Sequence, residues 1–481
     1  MKGLGQVKTW KQRFASGSFS SAIWMALCFA LTSGIYLAWL GRLVTLAEAA
    51  TSDWFSLVIG YLFQALGCYL ASRMLGRPGG NPQREAAFSI ALLAAVSMPA
   101  VLTDSVIALL IFGWIMNLLC GFLGGYYLYA IAIGAAENRR GLAFGGGYAA
   151  ATVVIGAFAL IGDGVLVKSG RALLLYLPLA AFTAWVAFQL PLFQPMATPS
   201  PSSSIRMAKP DRRDVFITCL MVVLISAVKN LGFSFPSADI QAGLIPQLSR
   251  LPYAVGLVMA GLIIDKKRAN GMICTLAALA LPFIMLGLLN ELLPSTLLWG
   301  LDYLFFGFFS VFRVILLIDI AVRTKRLALA PLGLLAGRVG DAVGTAAALL
   351  LAERQVALIA LCTLAFVPAV FLLFKQFQKL YEPVVTRQRD EKEVFESFCM
   401  HNDLSSRERE ILTMLLSGHS NAEIAGALFI TENTVKYHVR NVLQKTGCKN
   451  RYELQKKYKL ALYPDMEERS GSLVNGEGGN E

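Results

Sequence analysis

The sequence predicts an all-α protein: a polytopic membrane helix bundle of about twelve spans, six plus six, followed by a compact four-helix domain. Three observations predict it. Only 15% of the 481 residues are charged, and 56% are hydrophobic, whereas a soluble chain carries roughly 25% charged residues. Apolar stretches of about 20 residues, the length a bilayer core demands, recur from residue 19 to residue 375. After Phe374 the chain turns charged, and two Ser-x-x-Glu boxes open short amphipathic segments.

The twelve stretches are 19–40, 54–72, 86–103, 105–134, 142–162, 171–190, 214–233, 249–265, 271–290, 295–320, 327–351 and 355–375. Lys2, Lys8, Lys11 and Arg13 precede the first, as in a signal peptide. That run is too long for a cleaved segment, and more spans follow, so it reads as a membrane helix. The 105–134 and 295–320 runs are long enough to tilt. Small residues such as Gly145, Gly146, Gly147, Gly340 and Gly344 let membrane helices approach closely. Six of the eight cysteines lie in apolar stretches, and no C-x-x-C occurs. The three histidines lie in the tail. Buried apolar thiols are therefore expected rather than a metal site or disulfides, and no cofactor is expected.

Cations set the expected topology. They concentrate in alternate segments: 1–18, 73–84, 137–141, 191–213, 266–270 and 323–326. The intervening loops hold only Arg42, Lys168, Arg171, Arg250 and Arg354. Basic loops face the cytoplasm, which places both termini inside a bacterial cytoplasmic membrane. The net charge of +12 thus has one source in these loops, and a second in a DNA-binding surface. Segment 191–213, rich in Pro, Ser and basic residues, reads as a linker dividing the spans six and six.

Two six-helix halves joined by a long cytoplasmic loop resemble the major facilitator superfamily. Gly261-Leu-Ile-Ile-Asp265-Lys266-Lys267-Arg268 is similar to that family's G-x-x-x-D-[RK] loop motif. The loop after the second stretch departs from it. Gly67 is followed by Ala71 where the acid belongs, while Arg73, Gly76 and Arg77 remain. The bland reading of the 265–268 cluster is a set of charges that orients the chain in the membrane.

The expected domains are a membrane domain over 1–378, a cytoplasmic linker over 379–403, a DNA-binding domain over 404–465 and a disordered tail over 466–481. Within 404–465, Ser405-x-x-Glu408 and Ser420-x-x-Glu423 are capping boxes. Gly418 stands where a helix end needs left-handed geometry. Thr431 caps a third helix with an apolar stripe of Val435, Val439 and Val442, and Asn450 and Glu453 open a fourth. The tight 428–431 turn makes the second and third a helix-turn-helix. The other face of the third carries Lys436, Tyr437, Arg440, Asn441 and Gln444, with Lys445 at its end and no acid after Glu432. Ten basic residues face five acidic ones over 404–463. Cations on such a face release phosphate counterions and reach base edges of double-stranded DNA. A basic helix lying on anionic membrane lipid is the competing reading, and the ordered capping boxes disfavour it.

The runs Leu404–Leu412, Gly418–Ala425, Thr434–Val442 and Lys445-Thr-Gly447, with Arg451, resemble the LuxR-type DNA-binding domain over its whole length. The resemblance implies that Lys436, Tyr437 and Arg440 approach bases and that Thr434 and Lys445 contact phosphates. It also implies that the fourth helix, around Arg451 to Leu462, pairs in a homodimer. Nothing in 1–374 resembles a phosphoacceptor receiver domain.

Ionisable residues within spans are costly and often functional. The first half has almost none, while the second has Lys229, Asp302, Arg313, Asp319, Arg338 and Asp341. At about 1.5 Å per residue, Lys229 and Asp302 fall toward the outer side, and Arg313, Arg338 and Asp341 near mid-membrane. Arg338 and Asp341 can pair, three apart on one helix. Lys229, Asp302, Arg313, Arg338 and Asp341 are thus candidates to line a ligand cavity in the second half. Two arginines against one aspartate there favour an anionic small molecule. The structural alternative is an Arg–Asp pair that only joins helices, with Arg313 on backbone carbonyls or Asp319. The run Phe305, Phe306, Phe308, Phe309 and Phe312 reads as packing rather than pocket lining.

A membrane-bound one-component transcription regulator follows, and a secondary transporter with a regulatory tail is the alternative. An enzyme has little support, because no nucleophile–base pair, metal cluster or phosphate loop is evident.

Overall fold

The computed structural model describes residues 17–46, 54–160, 172–190, 192–193, 210–235, 250–288, 292–381 and 391–462. The basic segment 1–16, most of the 191–213 linker, the loop cations Lys168 and Arg171, and the 466–481 tail lie outside them. The chain divides into two compact units, Met1–Pro383 and Val384–Glu481. Among the described residues there is no β-strand.

A helix stands on each of the twelve expected stretches. The first six are α1 (Gly17–Leu46), α2 (Gly60–Leu75), α3 (Pro82–Leu102), α4 (Val106–Gly134), α5 (Arg140–Leu160) and α6 (Leu173–Gln189). The second six are α7 (Arg212–Phe233), α8 (Arg250–Lys266), α9 (Arg268–Met285), α10 (Leu292–Arg323), α11 (Leu332–Leu350) and α12 (Gln355–Tyr381). Among the described residues nine helices are long and apolar enough to cross a membrane. α5, α6 and α8 fall outside that measure. Apolar side chains face outward around the bundle, Phe88, Ile107, Leu174, Phe216 and Leu364 among them, as a lipid-facing surface requires.

Local chemistry starts the helices where the sequence places them. Asn81 caps α3 ahead of Pro82, and Asp211 with Asp214 forms a capping box on α7. Small residues then set the crossings. A Cβ on Gly340 or Gly344 would collide with the α7 backbone at Val223 and Ala227, so α7 and α11 meet at a distance only glycine allows. Asn230 reinforces the crossing, its Nδ2 donating to the Asp341 carbonyl at 2.9 Å. Between the halves, the Ser72 hydroxyl of α2 donates to the Ala328 carbonyl ahead of α11 at 2.6 Å.

The 265–268 motif does more than orient the chain. The Asp265 carboxylate accepts from the Gly141 and Leu142 N–H groups, both at 2.8 Å, and so satisfies the free first turn of α5. Arg268 reaches Asp265 and Asp319, each at 3.0 Å. Arg140 of α5 reaches Asp319 at 2.9 Å. The Tyr381 hydroxyl at the end of α12 donates to Asp319 at 2.8 Å. One buried carboxylate thus ties the start of α5 in the first half to α9, α10 and α12 in the second. One alternative from the sequence sets Arg313 on backbone carbonyls or on Asp319, and the structure gives Asp319 these other partners.

In the second unit, α13 (Glu391–His401), α14 (Ser406–Leu416), α15 (Asn421–Leu428), α16 (Glu432–Lys445) and α17 (Arg451–Leu462) close around one apolar core. α13 lies in the stretch read as linker 379–403. Its Val394, Phe398 and Cys399 are buried in that core. Phe398 meets Tyr458 of α17 edge-on at 5.4 Å between ring centres.

Candidate DNA-binding face and membrane cavity

The helix-turn-helix is held by its caps. Both Ser-x-x-Glu boxes form as reciprocal pairs, and Thr431 accepts from the Thr434 N–H. α14 ends on Gly418 at φ 88°, with the His419 N–H reaching the Met414 carbonyl at 3.0 Å. The turn before α16 places Phe429 at φ 54°, a left-handed conformation unusual for a bulky residue, with its ring almost wholly exposed.

Val435, Val439 and Val442 anchor α16 in the core. Their burial turns Lys436, Tyr437, Arg440 and Gln444 to solvent, with Thr434 and Asn441 half-buried at the edges. The exposed face is therefore cationic with amide and phenol donors, as a reader of phosphates and base edges requires. Lys445 is the exception. Its Nζ donates to Glu408 Oε2 at 2.7 Å and to the Asp403 carbonyl at 2.9 Å. It therefore clamps the end of α16 to the start of α14, leaving one of its three donors for a phosphate. In α17, Leu454 and Tyr458 point into the domain's own core, and Tyr452, Lys456 and Lys459 face outward.

Burial pushes the Glu408 carboxyl up, but hydrogen bonds from Lys445 and from Ser405 outweigh it and hold the pKa below its ordinary 4.5. The stabilisation is therefore present above pH 4.5 and lost as the pH falls through the lowered value. Glu408→Gln is expected to cost about 1–3 kcal/mol at neutral pH. It is also expected to flatten the acid limb of a urea-unfolding series on the 384–481 unit. An unchanged acid limb contradicts the assignment.

In the membrane unit, a cavity of about 310 Å³ opens between the halves. Phe29, Tyr36, Tyr61, Tyr127 and Tyr148 line it from the first half, and Tyr253 and Arg338 from the second. Gln64 and Thr32 add polar groups. Of the five candidate cavity residues only Arg338 lines it. Arg313 and Asp341 stand behind that wall: Asp341 receives Arg313 at 3.1 Å and Arg338 at 3.2 Å. Arg313 also donates to the Ser226 hydroxyl at 3.0 Å, so among the described residues its partners are Asp341 and Ser226 rather than backbone carbonyls or Asp319. Lys229 and Asp302 are elsewhere. Lys229 Nζ bonds both Asp302 oxygens at 2.7 Å and the Ala278 carbonyl at 3.0 Å, packed beside Phe233. That pair joins α7, α9 and α10, away from the cavity between the halves. The cavity lies between the halves rather than within the second, because its tyrosines converge from α1, α2, α4, α5 and α8. Phe308, Phe309 and Phe312 are buried in the packing between helices.

Residues 402–457 match the family described as bacterial regulatory proteins, luxR family. Over 48 residues the chain is 56% identical to the CsgBAC operon transcriptional regulatory protein of Escherichia coli (strain K12), covering 10% of this chain and 22% of that one. Over 48 residues it is 46% identical to the spore germination protein GerE of Bacillus subtilis (strain 168), covering 10% and 65%. The chain thus spans about a fifth of the length of the first of these relatives. The structure is similar to that of the human organic anion transporter MFSD10, at TM-score 0.52 and 15% identity, over 76% of this chain and 100% of that one. Residues 402–457 are therefore a luxR-family helix-turn-helix domain, and the chain carries it behind a bundle of apolar helices whose fold is similar to that of the transporter MFSD10.

Proposed function

We propose that this chain is a one-component transcription regulator of the bacterial cytoplasmic membrane, with both termini in the cytoplasm. Residues 404–465 bind promoter DNA, residues 1–378 sense a small anionic molecule, and residues 379–390 join them ahead of α13, which packs in the second unit's core. The exposed cationic face of α16 carries the reading. Lys436, Tyr437 and Arg440 address bases, and Thr434, Asn441 and the free donor of Lys445 address the backbone. The outward face of α17 is basic through Lys456 and Lys459, so two copies repel there in free solution. A homodimer through α17 accordingly forms on DNA, where phosphates neutralise the lysines. Ligand acts by binding two states of the bundle unequally, and tethering raises the local concentration of paired domains.

The test is genome-wide DNA occupancy of the full-length protein against a Lys436→Ala/Arg440→Ala double variant. Discrete peaks that vanish in the variant are expected. Equal occupancy by both, with each protein present in the membrane, rejects the reading. A cavity between halves would also serve a transporter. Among the described residues, however, its lining contains no Asp or Glu to carry a coupled proton. Substrate uptake into vesicles would support that alternative.

A further inference from the structure

We infer that the cavity between the halves binds a small aromatic carboxylate, its carboxylate on Arg338 and its ring among the tyrosines. The inference rests on reading this cavity as the sensing site and names its ligand class.

Charge comes first. Two guanidinium groups share the single Asp341 carboxylate. One positive charge is therefore unmatched, at a depth where an unpaired charge is costly. Arg338 is the member of that trio that reaches the cavity. Its Nε is buried and has no hydrogen-bond partner among the described residues. A planar carboxylate satisfies a guanidinium edge with two parallel bonds, which a lone hydroxyl or amide cannot do.

Shape and surface come second. Tyr36, Tyr61, Tyr127, Tyr148 and Tyr253 line the cavity together with Phe29 and Arg338. Tyr148 and Tyr253 stand edge to face, with ring centres 5.5 Å apart and planes at 90°, and Phe29 abuts Tyr148. Tyr61 already lies under Arg338, 5.4 Å from its guanidinium carbon. Aromatic pairs in such offset and edge-on arrangements gain more than the area they bury accounts for. A volume near 310 Å³ is at the small end of ligand pockets, about 300–1,000 Å³, so the ligand is of one- or two-ring size. The Tyr253 hydroxyl is already held by Ser310 at 3.0 Å, which fixes that ring.

The experiment is titration calorimetry on the full-length protein in detergent, without DNA, using benzoate, 4-hydroxybenzoate and cinnamate. Benzamide and cyclohexanecarboxylate are the matched controls. At least one aromatic acid is expected to bind. Its amide should bind at least about tenfold more weakly, and its saturated analogue several-fold more weakly. Arg338→Gln should abolish binding while the protein stays folded, since it leaves Arg313 and Asp341 matched one to one. The ligand comparisons need no variant, so they stand even if Arg338→Gln fails to fold. No binding by any of the three acids at millimolar concentration overturns the inference, as does equal binding of benzamide or full binding by folded Arg338→Gln. Promoter occupancy that depends on Lys436 and Arg440, in a protein blind to these acids, overturns the ligand class alone. Binding of the acids without promoter occupancy overturns the regulator alone.

Discussion

Replacing Asp302 by Asn is expected to destabilise the membrane domain by about 3–5 kcal/mol, whereas Lys229→Met/Asp302→Leu together should recover most of the loss. The Lys229 ammonium is 1% exposed, and all of its donors are committed, two to Asp302 and one to the Ala278 carbonyl. Around it stand Phe233, 4.1 Å from Nζ, and Phe306, 5.7 Å away. An amide in place of the carboxylate leaves a full charge among rings with weaker acceptors. Removing both charges removes the desolvation cost along with the attraction, and apolar side chains of similar volume suit the surrounding cluster. The measurement is thermal unfolding of Asp302→Asn, of Lys229→Met and Asp302→Leu singly, and of the double variant, all in one detergent. Effects that simply add across the double variant would show that the two residues do not act as a pair. Because neither side chain lines the cavity, the double variant should also keep its ligand response.

Much of this architecture was legible because the bilayer imposes a strong, local rule. Each apolar stretch had to be a helix, and each is. The same holds for the second unit, where Ser405, Ser420 and Thr431 announce helix starts by chemistry that operates within three residues. The Arg338–Asp341 pair was legible for a similar reason, being one turn of one helix. Pairings across the fold were not. Lys229 and Asp302 are 73 positions apart, and Arg140 and Asp319 are 179 apart. Nothing in a hydrophobic period says which distant charge a buried one will meet. The cavity between the halves is out of reach of the sequence for the same reason. A tyrosine on an apolar helix reads singly as packing or as an interfacial anchor. Only the convergence of five helices makes Tyr36, Tyr61, Tyr127, Tyr148 and Tyr253 a lining. α13 had a faint signal in Val394, Phe395 and Phe398, one turn apart on a single face. The charged run and Pro383 around it masked that signal, and its partner Tyr458 lies on the far helix α17.

Asp319→Asn is expected to be the most damaging single change in the network that joins α5, α9, α10 and α12, at about 3–5 kcal/mol. The carboxylate is 1% exposed and receives Arg140, Arg268 and Tyr381 together. Its partners have unequal alternatives. Arg268 keeps Asp265 at 3.0 Å and the Ile264 carbonyl at 2.7 Å. Arg140 has an Nε that is buried and unpartnered among the described residues, so losing Asp319 strands a nearly buried guanidinium at the start of α5. The damage should therefore centre on the junction between the halves rather than on α9. Tyr381→Phe removes one neutral donor and should cost only about 1 kcal/mol. Arg140→Met should fall between them, since it leaves the carboxylate with Arg268 still in place. Thermal unfolding of the three variants in detergent, with limited proteolysis at 137–141 as a local probe, checks the order. If Tyr381→Phe proved as damaging as Asp319→Asn, the weight of the network would rest on the end of α12 rather than on the charge shared between the halves.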